Sequence, residues 1–520
     1  MSTIRAFISS WLLVDLIVIC AVSLVVFKLG NFVFSSAHTQ LPPGPPQNWI
    51  IGNLLDLPRD NQWLLFTEWS RHYGEILYIR VLHTHIIVVN SVEVITELFD
   101  KRYNTYSSRT PTPMLDLLKN NYFTSSLPYG NRWRAHRRMM QTFLSADATK
   151  SYRELQHQKV INFLKLLINT PNKFLGHIRH EALAIVMSAL YAYDVAVEND
   201  PYVDIAQKAV ANLVKTILPG SFLVNVIPIL RIVPEWFPGG GFKTFARETQ
   251  ALVDQMRDGT INVVRTRMVT GEQLNCISAK LLQDSTTDDE LLDIKSVCTT
   301  LYAAGAESTV STLQTFFYAM SNYYDVQRRA QEEIDAIVGC KRLPTIEDRP
   351  SLPYVEALYR ETLRWYPVFP VGGPHYTTDE DTYEGYRIPK GTTVIPNIWG
   401  ITRNQSRYPD PESFNPSRFF QEDGSLNDDD VRYVFGFGRR SCPGRHLASV
   451  TVWLTIVNVL ATFDIRRKKD LFGNEIPVNA GHTGNALAIH PHPFECDITP
   501  RTEAKKCLIL EQQLIEMPAV

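Results

Sequence analysis

Cys442 stands in the stretch Phe435-Gly-Phe-Gly-Arg-Arg-Ser-Cys-Pro-Gly444, and an apolar run with helical spacing, Leu447 to Phe463, follows directly. Three glycines and a proline around one thiol predict a tight loop that delivers it to a helix N-terminus. Backbone N–H groups, the positive end of the helix dipole and the charges of Arg439 and Arg440 would favour the thiolate there. The other cysteines lie at 20, 276, 298, 340, 496 and 507, with no CxxC or comparable spacing. Zinc needs further ligands that no spacing supplies, whereas a lone thiolate on a glycine-held loop suits an axial ligand of haem iron. The competing reading is a buried free thiol at a helix start; the surrounding glycines and arginines argue against it. A second group of interest is Ala303-Ala-Gly-Ala-Glu-Ser-Thr309, midway along a helical stretch at 289–321. Gly305 costs about 1 kcal/mol in a helix interior, and Glu307 would be a carboxylate within a buried segment. A tolerated glycine on a solvated face is the alternative.

The elements that would position these groups follow from periodicity. Ile76–Arg80 and His85–Asn90 are β-branched runs around a polar turn and predict a hairpin. Helical spacing covers 92–102, 131–146, 150–169, 176–195, 202–216, 243–269, 289–321, 325–338, 354–365 and 443–463. Short extended pieces reappear at 383–396, around Gly385 and Gly391. The fold class is mainly α with a minor β region. A chain of 520 residues could hold three or four domains at about 150 residues each, yet no linker or repeat interrupts 47–500. The helix at 289–321 is apolar around much of its circumference and should run through the core.

The sequence resembles the cytochrome P450 family. Phe435, Gly438, Arg440, Cys442 and Gly444 match its FxxGxRxCxG haem signature; Glu361-Thr-Leu-Arg364 matches ExxR. Pro416-Ser-Arg-Phe419 carries an arginine in the place of the network's third member, Trp133 to Arg137 matches WxxxR, and Ala304-Gly-Ala-Glu-Ser308 stands where the family has (A/G)Gx(D/E)T. The resemblance implies one large haem-enclosing P450 domain and haem b as cofactor, with Cys442 as iron ligand. It also implies Trp133, Arg137, His375, Arg440 and Phe435 as residues around the cofactor. Glu361, Arg364 and Arg418 would form a buried structural network. By the same resemblance Glu307, Ser308 and Thr309 would form the distal candidate set that relays protons. Ser308 replaces the family's usual threonine; Thr309, about 100° further round the helix, could substitute only if the helix were distorted. Within the family the chain is similar to fungal secondary-metabolism members of the O-methylsterigmatocystin oxidoreductase type, on features such as His177-Ile-Arg-His180, Gly373-Pro-His-Tyr376 and His492-Pro-Phe-Glu-Cys496.

Trp11 to Phe27 is almost wholly apolar, broken by Asp15, and long enough to cross the roughly 30 Å hydrocarbon core. A cleaved signal peptide is the alternative. Leu41-Pro-Pro-Gly-Pro-Pro46 then forms a stiff spacer. The expected organisation is a membrane anchor at 1–30, a Pro-rich hinge at 31–46, the catalytic domain at 47–500 and a polar tail at 501–520. Together with the resemblance this implies a single-pass protein of the endoplasmic reticulum membrane with its catalytic domain in the cytosol. Ile217 to Phe237, apolar but interrupted by prolines and charges, reads as a surface-dipping segment. The chain has no flavin or nicotinamide fingerprint, so NADPH electrons would come through NADPH-cytochrome P450 reductase, with cytochrome b5 as a second donor. Arg134, Arg137, Arg138, Arg439 and Arg445 would present a docking cluster. With 52 Lys+Arg against 54 Asp+Glu, the chain lacks the charge of a nucleic-acid binder. Pocket walls are expected from Thr112–Phe123, Leu218–Ile229, Leu301–Ala304, Val368–Gly372 and Thr483–Ala486. Their apolar character suits a terpenoid, polyketide or aromatic substrate. The expected reaction is insertion of one oxygen atom from O2. A haem-thiolate isomerase or dehydratase, or a non-catalytic haem-binding protein, are the alternatives.

Overall fold

The computed structural model describes residues 40–119, 123–218, 220–483 and 488–512. The apolar run Trp11 to Phe27 lies outside them, as do 1–39 of the expected anchor and hinge, 120–122, 219 and 484–486 of the expected pocket walls, and 513–520 of the tail. Among the described residues no helix is long and apolar enough to cross a membrane.

Helices dominate. We label them α1 (Gln62–Tyr73), α2 (Asn131–Leu144), α3 (Arg153–Asn169), α4 (Phe174–Tyr191), α5 (Pro201–Ile217), α6 (Gly241–Val269), α7 (Asp288–Asn322), α8 (Tyr324–Ile337), α9 (Pro353–Trp365), α10 (Arg445–Thr462) and α11 (Glu503–Glu511). Local chemistry sets their ends. Thr287 and Glu290 form a capping box at the start of α7, and Asp288, Asp289 and Glu290 place negative charge in its first turn, which complements the dipole. Asp200 caps α5 by accepting from the N–H groups of Tyr202 and Val203, with Pro201 in the first turn, where its missing N–H costs nothing.

The main sheet has the order β1-β2-β6-β3, from β1 (Ile76–Val81), β2 (Thr84–Val89), β3 (His375–Tyr376) and β6 (Thr393–Pro396). β1 and β2 form the predicted hairpin, with Ile79 opposite Ile86. β6 joins β2 in parallel, and β3 pairs with β6 by setting His375 opposite Val394. β4 (Asp381–Tyr383) and β5 (Tyr386–Ile388) make a small hairpin, and β7 (Phe463–Arg467) pairs with β8 (Cys496–Pro500).

α7 runs through the core: from Val310 to Ser321 every residue is buried. It packs most extensively on α4. Gly305 lets the two helices approach closely, since a Cβ there would lie 2.9 Å from Val186 Cγ2. The glycine that looked like a defect is a helix-crossing point. α10 is buried from Thr451 to Thr462 and lies against α3, α7, α8 and α9.

Two boundaries differ from the expectation. The described part of the Pro-rich segment is attached to the domain, with Pro43 O accepting from Tyr78 N at 2.9 Å and Gln40 O from Arg387 N at 2.9 Å. The stretch expected as a polar tail begins with α11, capped by Thr502 and burying Lys505 and Ile509. Ile509 supplies the apolar contact that composition alone obscured.

Candidate active site

The Cys442 loop is shaped by backbone contacts. Gly438 adopts φ +52°, and a Cβ there would meet Phe99 O at 2.3 Å; only glycine fits that approach. Phe435 contributes its carbonyl, which accepts from Cys442 N at 2.7 Å, while its ring packs on the main core. α10 begins three residues after Cys442. Burial pushes the Cys442 thiol up. The N–H groups of Gly444 and Arg445 and the charges of Arg137 and Arg445 act in the opposite direction without overcoming it. A coordinated thiol is deprotonated by the metal itself, so the loop's N–H groups then serve the sulfur as donors.

Beside this loop lies a group of cations without acids. Arg440 donates to Ser107 O at 2.7 Å, Leu127 O at 2.6 Å and Thr124 O at 3.3 Å, and sits 4.6 Å from the Trp133 ring centroid. Arg137 lies 5.8 Å from the same ring centroid. Trp133 itself is buried. Arg109 donates to Ser125 O at 3.0 Å, Gly373 O at 2.8 Å and Pro374 O at 2.5 Å. Burial first, then the charges of Arg109 and Arg137, pull the Arg440 guanidinium down to about 8. Burial pulls Arg109 down to about 10 and lowers Arg137 as well. His375 is stacked on Phe99 at 3.8 Å and has Nδ1 2.7 Å from Tyr106 O. Burial, then Arg109, drives it well below the ordinary histidine range, so it is neutral and Nδ1–H donates to that carbonyl. Among the described residues, none of Arg109, Arg137 and Arg440 forms an ion pair with a carboxylate. Arginine stays protonated, so the cluster bears the cost of uncompensated charge until an anion joins it. The two carboxylates of haem, beside a single thiolate, fit this donor set.

Trp133, Arg137, His375, Arg440, Phe435 and Cys442 are thus brought together as expected. Arg109 belongs with them and was not expected, because it stands alone in Ser107-Ser-Arg-Thr110 without a helical partner. The expected docking cluster divides. Arg137 turns inward, while Arg134, Arg138 and Arg439 are exposed; Arg439 covers the Tyr103 ring at 4.4 Å.

The structural network is complete. Arg364 Nε and Nη2 donate to Glu361 at 2.6 and 2.9 Å, and Arg418 Nε donates to Glu361 Oε1 at 3.2 Å. Asn415 N adds a fourth donor at 2.7 Å. Arg364 and Glu361 are fully buried.

On α7, Ala304 is exposed and Leu301 and Ser308 are partly so, although the helix is inside the fold. These residues share one face, which borders open space. Ser308 Oγ lies on it, donating to Ala304 O at 3.1 Å. Thr309 does not: it is buried and donates to Gly305 O at 3.1 Å, on the side where Gly305 meets α4. Since α7 is unbroken helix from Asp288 to Asn322, the distortion that would let Thr309 stand in for Ser308 is absent. Glu307 is also not a lone buried carboxylate. Its side chain is 35% exposed, receives a hydrogen bond from Arg179 Nη1 at 2.5 Å and lies 3.2 Å from His490 Nε2. Burial pushes it up, but the bond from His490 and the charge of Arg179 outweigh that and hold it at about 2.

The sequence profile described as Cytochrome P450 matches residues 42–483. The chain belongs to the cytochrome P450 family. It is 37% identical over 503 residues to a cytochrome P450 monooxygenase of Armillaria gallica, covering 95% of this chain and 98% of the relative. It is 39% identical to cytochrome P450 monooxygenase COX2 of Coprinopsis cinerea, covering 90% of each chain. It is 35% identical to cytochrome P450 monooxygenase claR of Ampulloclitocybe clavipes, covering 94% of this chain and 91% of the relative. The protein is accordingly a haem-thiolate P450 monooxygenase served by a redox partner. In such an enzyme Cys442 would ligate the iron, and the acid-free cluster of Arg109, Arg137 and Arg440 would receive the propionates.

Proposed function

We propose that this P450 inserts oxygen into a hydrophobic secondary metabolite, of terpenoid, polyketide or aromatic character, with NADPH electrons passed on by NADPH-cytochrome P450 reductase and cytochrome b5 as a second donor. When bound, the haem supplies the redox and oxygen chemistry. The protein's own contribution would be to hold the thiol, neutralise the carboxylates and present Ser308 and Glu307 from α7. The observation that carries the substrate reading is the face of α7 formed by Leu301, Ala304 and Ser308: one hydroxyl on an otherwise apolar surface. Such a surface accepts apolar ligands and places a proton-bearing group among them. The similarity to the O-methylsterigmatocystin oxidoreductase type supports secondary metabolism as the setting.

A membrane location suits the outer surface. Trp49, Ile50, Ile229, Ile232, Trp236 and Phe237 are exposed. Ile50 and Ile227 to Ile229 line one apolar groove together with Leu82 and His83. Such a patch favours contact with lipid, consistent with a protein anchored in the endoplasmic reticulum membrane with its catalytic domain in the cytosol. Exposed Arg134, Arg138 and Arg439 offer charge to an acidic reductase surface.

The test is spectral titration of the purified haem protein with a panel of terpenoids, polyketides and aromatics, followed by turnover with reductase and NADPH. The expected result is a low-to-high-spin shift with an apolar compound and a product one oxygen atom heavier. Conversion that needs neither NADPH nor O2 would instead favour an isomerase or dehydratase.

A further inference from the structure

His490 is joined to α7 at two levels. Its Nε2 is 3.2 Å from Glu307 Oε2 and its Nδ1 is 3.2 Å from Gln314 Oε1. Glu307 and Gln314 are seven residues apart and therefore lie on one face of the helix. Between them, Ser311 Oγ donates to Ile489 O at 2.5 Å. The His490 backbone is fixed too: its N–H donates to Thr483 Oγ1 at 3.1 Å and its carbonyl accepts from Thr483 N at 3.0 Å. The ring is thus held from both ends against a carboxylate one residue from Ser308.

The two cations on Glu307 differ in what they can do. Arg179 keeps its proton at any accessible pH and only holds charge. Histidine is the side chain that gains and loses a proton near neutrality. Its side chain here is 19% exposed, so water reaches it. Around the pair, α4 supplies Arg179, the C-terminal segment supplies His482, whose ring feels the charge of His490, and α7 adds only the neutral Ser311 and Gln314.

We propose that His490 is a positioning residue that carries solvent protons to Glu307, with Arg179 holding Glu307 ready as a carboxylate. The transfer moves one proton from Nε2 of the imidazolium to Oε2 of Glu307. It leaves neutral His490 with its remaining proton on Nδ1, facing Gln314. Glu307 stands about 100° round the helix from Ser308, so its proton passes to that hydroxyl through intervening water, and water restores the proton on Nε2. The proposal rests on the monooxygenase activity and on Ser308 as the hydroxyl of the open face.

The experiment compares wild type with His490→Arg and His490→Gln as full-length haem proteins with reductase, NADPH and the panel compound giving the largest spin shift. Peroxide released per NADPH is followed from about pH 5 to pH 8. General acid–base groups contribute typically 10²–10⁴-fold, and water replaces part of a missing relay, so product per NADPH should fall by about tenfold in both variants. The pH step of the wild type should disappear. His490→Arg keeps a cation against Glu307 but cannot give up a proton, so it should keep the wild-type Soret spectrum and thermal midpoint while losing the step. Thermal midpoints of His490→Gln, Glu307→Gln and the double variant should be non-additive, reporting the contact independently of turnover. A wild-type pH profile in His490→Arg, or additive midpoints, would overturn the proposal. Turnover that needs no NADPH would break the monooxygenase reading instead.

Discussion

On the Cys442 side of the site, Arg109, Arg137 and Arg440 gather around Trp133 and His375, and the donors of Arg109 and Arg440 go to backbone carbonyls. On the α7 side, a single carboxylate, Glu307, has both Arg179 and His490. The first side has cations in excess; the second is neutralised within the protein. Excess charge inside a fold is costly unless a counter-ion arrives, so the cation side is built for a guest. The paired side is built to keep its acid ionised next to a hydroxyl. The Glu361–Arg364–Arg418 network is a third arrangement, sealed from solvent, with its remaining donors on the carbonyls of Thr402, Pro411 and Ser413.

The largest disruption should come from the sealed network. Glu361→Gln leaves Arg364 and Arg418 buried without their acid, a loss of about 3–5 kcal/mol. Denaturant unfolding should show it, together with failure to retain haem; normal haem content would contradict a structural role for the network. Next in size, Arg440→Gln should weaken haem retention by about 1.5–3 kcal/mol, the range for a hydrogen bond to a charged group. Transfer of haem to a scavenging acceptor should accelerate accordingly.

A smaller change separates the two hydroxyls of α7. Ser308→Ala should raise peroxide release per NADPH several-fold, while Thr309→Val, which removes a bond to Gly305 O within the helix packing, should leave coupling unchanged. The reverse result would return the relay to Thr309. The smallest effect concerns acid stability. The Glu307 pKa is lowered on folding from an ordinary 4.5 to about 2. Its contribution is therefore present above the unfolded value and lost as pH falls from one value to the other. Glu307→Gln should flatten the stability profile in that window and leave it unchanged near neutrality in shape.

The helices and the hairpin were legible because they obey the 3.6 and 2.0 periods over long stretches, and α7 fell within one residue of its expected ends. Cys442, Trp133, Arg137 and the Glu361–Arg364 pair were legible because their spacing within one element fixes their relation. Arg109 and His490 were not. Each reaches the site from a segment without periodicity, and its partners are far away in sequence: Gly373 for Arg109, Glu307 for His490. Gly305 was visible as an anomaly, but its reason, the approach of Val186, lies on another helix. The choice between Ser308 and Thr309 stayed open for a related reason: whether a face meets solvent or α4 depends on a neighbour that the helix's own sequence does not name.

The central claim is that one thiolate, from Cys442, faces a cradle of arginines that receives the carboxylates of haem. The most direct measurement is the absorption spectrum of the reduced, CO-bound protein in wild type and Cys442→Ser. Wild type should show the red-shifted Soret band of thiolate ligation, and Cys442→Ser should bind haem through the arginine cradle yet lack that band. An unchanged band in Cys442→Ser would contradict the assignment.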